Sequence, residues 1–135
     1  MSKYNILPPE QFIHILENRQ DAITSTLADK AVEYSFEGDR LYNFNRAAEI
    51  NNERPAQSLW GMATKHLVSV MDLVEGRLEN TEKNVNDKCG DLINYICLLE
   101  AALLVERESK KALSIGVVVS TTEEYDKLIK GNSHG

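Results

Sequence analysis

The chain has few of the residues that announce a chemistry. Its 135 residues include two cysteines, Cys89 and Cys97, eight positions apart within one predicted helix. That spacing is about 12 Å of helix rise, too long for a disulfide, and both read as small core residues of a reducing compartment. No Cys/His zinc spacing, Ser–His–Asp signature or glycine-rich phosphate loop is present, which removes zinc modules, triad hydrolases and P-loop enzymes. His14 and His134 have no partners at ligand spacing, and His66 reads as a core or interface residue. Basic residues are also short: the net charge is −6 and no basic stripe appears, so duplex nucleic acid is not an expected partner. The start, MSKYNILPPE, lacks a signal core, and no apolar run reaches membrane-span length. The expectation is a cytoplasmic protein with no membrane partner.

What is present is helical periodicity over one domain's length. Pro8-Pro9-Glu10 opens a helix carrying Phe12, Leu16, Ile23 and Leu27 and running to about Ala31. A Gly38 turn precedes a short helix over roughly Leu41–Ile50, and Pro55 starts a third that Gly76 stops. Its apolar stripe is Leu59, Met62, Ala63, His66, Leu67, Val70 and Val74. Asn80-Thr81-Glu82 caps a fourth helix reaching about Lys111, with the stripe Val85, Cys89, Leu92, Ile96, Leu99 and Leu103. The predicted fold is therefore all-α, an antiparallel helical hairpin within a bundle of about four helices over residues 1–113. Residues 114–135 form a separate C-terminal segment, with a β-prone Val117–Val119 stretch and a short terminal helix from Thr121 to about Lys130.

The fourth helix raises a chemical question. It opens DKCGDLIN, so Asp87, Asp91 and Asn94 share one face opposite its stripe, while Ile93, Cys97, Leu98, Ala101 and Ala102 widen the apolar surface. A helix apolar on most sides is covered by other helices or by a second subunit, so a homo-oligomer is expected and the polar groups at its rim need partners. On the third helix Lys65, Ser69 and Asp72 group together. Carboxylates on facing helices suit a hard ion such as Mg²⁺. Arg40 and Arg46 flank Phe36, Tyr42 and Phe44, with Asn43 and Asn45 between, and Trp60 lies one turn before Lys65. Rings beside arginines and amides suit a nucleobase and its phosphates, and equally suit a small core with a polar edge.

The run KCGDLINYICLLEAAL resembles the second catalytic helix of the all-α NTP pyrophosphatases, the MazG and dUTPase-like group. EYSFEGDRLYNFNRAAEI and LWGMATKHLVSVMDLVE are similar to small phage-encoded helical proteins of the MazG-like and nucleotide-modification-associated types. The resemblance covers roughly residues 28–105 and implies metal-facing acids at Asp91 and Asp87. The chain departs from that pattern at Lys88, where the family has an acid, and on the third helix, which offers only Asp72 and Glu75.

Three readings follow. In a Mg²⁺-dependent nucleotide pyrophosphohydrolase, Asp72, Glu75, Asp87 and Asp91 would hold the metal, Lys65 and Arg46 the phosphates, and Trp60 or Tyr42 the base. In a non-catalytic phage protein that captures a nucleotide or a nucleotide-derived immune signal, Arg40, Tyr42, Asn43, Phe44, Arg46, Trp60, Lys65 and Asn94 would form the pocket. In a structural or interaction module the polar patches are solvated and there is no small ligand.

Overall fold

Pro9 at the first helical position, after an extended Pro8, starts α1 (Pro9–Ile23), with Glu10 in its first turn. The computed structural model describes residues 5–29 and 31–114. The segments expected as a strand (Val117–Val119) and as a terminal helix (Thr121 to Lys130) lie outside them. α1 buries none of its residues and runs directly into a π-helical turn over Thr24–Ala28, closed by Asp29 N–H donating to Thr24 O at 3.1 Å. Such turns push backbone and side chains outward from a helix and recur at functional sites. A single turn, α2 (Ala31–Tyr34), was not expected from the sequence.

Phe36 and Asp39 then exchange two backbone hydrogen bonds across Glu37 and Gly38, both with positive φ (53° and 78°). This is the left-handed pair that a two-residue reversal requires and that glycine favours. Asp39 holds the next helix in place: its Oδ1 accepts the Leu41 N–H at 2.9 Å and its Oδ2 the Asn45 amide at 2.8 Å. α3 (Tyr42–Asn51) ends on a left-handed Asn52. Gln57 reaches back to the Arg54 N–H at 2.8 Å as α4 (Pro55–Val74) begins. Gly76 at φ 77° and two N–H groups returning to Asp72 O close α4. Thr81 Oγ1 accepts the Asn84 N–H at 3.1 Å to open α5 (Glu82–Ser114).

The fold is all-α, with helix packed on helix and no strand among the described residues. The chain divides into two compact units, Met1–Leu99 and Glu100–Gly135, a division that falls within α5. In the second unit, Ala102 and Ala112 are buried. In the first, α4 and α5 turn back on each other, because His66, eight residues before the end of α4, stacks on Tyr95, thirteen after the start of α5. Its core is Leu41, Ala48, Ala56, Leu59, Ala63 and Leu98, where alanines on α3 and α4 allow close helix approach.

Two expected stripes are corrected. On α4 the stripe holds through Leu59 and Ala63, then fades: Leu67 is 38% and Val74 82% exposed. On α5 the inward side carries Gly90 and Leu98, both buried, whereas Val85 and Ile96 of the expected seam stand partly exposed. Over its middle, from Leu92 to Val105, α5 has apolar residues on most sides, so periodicity alone leaves its rotation undetermined.

Candidate functional site

The reversal of φ at Glu37–Gly38 delivers Arg40 beside the π-helical turn, where its Nε donates to Leu27 O over a long 3.4 Å. One turn into α3, Asn43 and Phe44 face the same space. From α5, Asp91, Asn94, Tyr95 and Leu98 follow the i, i+3, i+4, i+7 spacing of one helix face and form the opposite wall. Together with Thr26 and Leu27 they line a half-open cavity of about 340 Å³, at the small end of the roughly 300–1,000 Å³ range of ligand pockets.

Its polar groups are few and unequal. Asn94 Oδ1 is shut off from solvent and has no hydrogen-bond partner among the described residues. An unpaired buried acceptor of this kind costs about 1–3 kcal/mol. Asp91 Oδ2 lies 3.7 Å from His66 Nδ1, an ion-pair distance once the imidazole is protonated, but too long for a hydrogen bond. The His66 ring lies on Tyr95 with centroids 4.7 Å and planes 21° apart. His66 thus holds two of the cavity's wall residues from outside it, consistent with its expected place at an interface between helices.

Five of the expected site residues meet here: Arg40, Asn43, Phe44, Asn94 and, from the expected metal set, Asp91. The others lie elsewhere. Tyr42 packs on Phe36, with centroids 4.8 Å apart. Arg46 pairs with Glu49 at 2.5 Å, while Trp60 and Lys65 face solvent. Thr26, Leu27, Tyr95 and Leu98 were not foreseen as site residues. Tyr95 and Leu98 could have been, by extending the Asp91–Asn94 face one turn; the π-helical turn has no comparable signal.

The expected metal set does not assemble. Arg77 takes Asp72 at 3.7 Å and Glu75 at 2.7 Å, Lys83 takes Asp87 at 2.6 Å, and Asp91 faces His66. Among the described residues, no three His, Cys, Asp or Glu side chains converge as metal ligands, so these residues do not fit Mg²⁺. The Lys83 hydrogen bond holds Asp87 below its ordinary value of 3.8, and the Asp87 carboxylate raises Lys83 above 10.5. A lowered acid stabilises the fold above its ordinary range and stops doing so as pH falls through its folded value. A raised lysine stabilises below 10.5 and ceases to as pH rises past its folded value. Lys83 is exposed and Asp87 partly so, which leaves their pair screened by solvent, so Asp87→Asn is expected to change the acid limb of a melting-temperature profile only slightly and to leave ligand binding intact.

A wider cleft of about 680 Å³ opens between α1 and the start of α5, lined by Ile15, Asn18, Arg19, Glu82, Lys83 and Asn86 among others. Its cations are already engaged. Arg19 donates to Asn86 O at 3.2 Å and Asn86 Oδ1 at 2.9 Å, and lies against Gly90, where a Cβ would fall 2.5 Å from Nη1. Gly90→Ala would push this flexible guanidinium off Asn86 while gaining up to about 1 kcal/mol of helix propensity. The global melting temperature is expected to move little, while amide exchange in α1 quickens as its tie to α5 is lost. Unchanged α1 protection would show that Arg19 does not anchor the helix.

Compared with protein-family models, curated proteins and solved structures, the chain matches none.

Proposed function

We propose that the cavity between the π-helical turn, α3 and α5 binds a mononucleotide-sized ligand and retains it without cleavage. The observation that carries this reading is Asn94, whose Oδ1 is a buried acceptor lacking a donor and which lines a cavity whose other walls include two aromatic rings and a guanidinium. A nucleobase answers each group in turn. Its exocyclic amine supplies the donor to Asn94, its face stacks on Phe44 or Tyr95, and its phosphate takes the charge of Arg40. Asn43 and Asp91 offer further acceptors for sugar hydroxyls. Retention is favoured over hydrolysis because three of the four expected acids, Asp72, Glu75 and Asp87, are paired with Arg77 or Lys83. Resemblance to the all-α pyrophosphatases supports the nucleotide class, not the reaction.

The test is a thermal-shift comparison of AMP with purine riboside 5′-monophosphate, which lacks the 6-amino group, each with and without Mg²⁺. Ligand binding raises stability with the logarithm of its excess over Kd. The expected result is a shift for AMP that survives chelation, is smaller for the des-amino analogue, and leaves the nucleotide intact on chromatography. One lost hydrogen bond to a buried group corresponds to about tenfold or more in Kd. Equal shifts would remove Asn94 from the reading, and consumption of the nucleotide would replace retention with hydrolysis.

A further inference from the structure

Twenty residues of α4 carry two formal charges, Lys65 and Asp72, where a solvated helix would carry several more. Its exposed side explains the shortage. Trp60, Thr64, Leu67, Met71 and Val74 follow each other at steps of four, three, four and three, the heptad spacing of a helix–helix seam. The four apolar members are 54%, 38%, 45% and 82% exposed, and Val68 beside them is 50% exposed. Tryptophan and methionine on a face without charge are the composition of an interface centre. Trp60, expected from the sequence to stack on a ligand, belongs to this stripe instead.

We propose that α4 pairs antiparallel with α4 of a second copy of the chain, about a two-fold axis at Leu67. Orientation follows from the ends of the stripe. Trp60 and Val74 each lie seven residues from Leu67, so an antiparallel pair sets the Trp60 ring against the partner's Val74. A parallel pair would put the two tryptophans together at one end and the two much smaller valines at the other, crowding one layer and leaving the other hollow.

The occupant is a second copy because the described residues bury little themselves and the exposed stripe approaches the area that a dimer needs. Among the described residues, Leu59 is the one large side chain that is fully buried. A fold with so little buried among its described residues gains stability from a partner, and a second copy is present wherever the chain is made. The stripe and Val68 offer on the order of 500 Å² per protomer, and the flanking backbone and polar groups bring this toward the roughly 800 Å² of a standard interface. This pairing is independent of the nucleotide reading, since no stripe residue lines the cavity.

Analytical ultracentrifugation of the full chain is expected to show a dimer, and Leu67→Asp a monomer with the helical circular dichroism retained. Trp60 is the only tryptophan, so dilution of the native chain should shift its emission to the red as dimers part. With Cys89 and Cys97 replaced by alanine, Leu67→Cys should form a covalent dimer on oxidation, and Trp60→Cys should not. This arm decides the matter even if Leu67→Asp fails to fold. A native chain that is monomeric at all concentrations, a Leu67→Asp dimer, or Trp60→Cys crosslinking as readily as Leu67→Cys would each overturn the proposal.

Discussion

Leu59→Ala is expected to cost about 2–5 kcal/mol, a large part of the 5–15 kcal/mol that holds a small domain together. Leu59 is fully buried in α4, and the other buried positions beside it in sequence are Ala56, Ser58 and Ala63. Small neighbours on helices cannot close over a vacated isobutyl group, so the cavity term adds to the lost transfer energy. Ile50→Ala is the matched control: Ile50 is 79% exposed and should change stability by about 0.5 kcal/mol or less. Both are measured by urea unfolding at one fixed protein concentration, because self-association would add a concentration-dependent term. A Leu59→Ala cost below about 1 kcal/mol would mean that the centre of the fold lies elsewhere.

Helix limits were legible wherever a single residue type dictates backbone geometry. Pro9 and Pro55 sit at helix starts, Gly76 adopts the left-handed conformation that ends α4, and Thr81 caps α5 as its side-chain chemistry requires. The rotation of α5 was not legible. Its middle offers apolar residues on most sides, and the side that turns inward is marked by Gly90, whose missing side chain admits Arg19 from α1, a contact seventy-one positions away. The fate of the carboxylates was partly written in the sequence. Lys83 and Asp87 stand at i, i+4, a pairing that helices favour, and Arg77 follows Asp72 and Glu75 closely enough to meet both at the end of α4. Counting acids on helix faces overlooks the bases within reach of them. The aromatic and amide cluster around Arg40 was a sounder guide. Arg40, Asn43 and Phe44 lie within one turn of the same reversal, so local geometry was enough to bring them to one side.

Asn94→Leu separates function from stability by sign. Leucine matches asparagine closely in shape and brings no polar atom, so it removes an acceptor buried without a donor. If Asn94 is there for a ligand, the ligand-free variant should be more stable than the native chain by about 1–3 kcal/mol, while nucleotide-induced stabilisation disappears. Arg40→Lys provides the companion measurement. It keeps the positive charge but loses the planar fork, and should weaken phosphate-bearing ligands more than the corresponding nucleosides. The opposite outcome is equally informative: a destabilised Asn94→Leu would mean that the carboxamide serves the fold. A more stable Asn94→Leu would show that the carboxamide does not serve the fold, and the aromatic walls of Phe44 and Tyr95 and the charge of Arg40 line the cavity beside it.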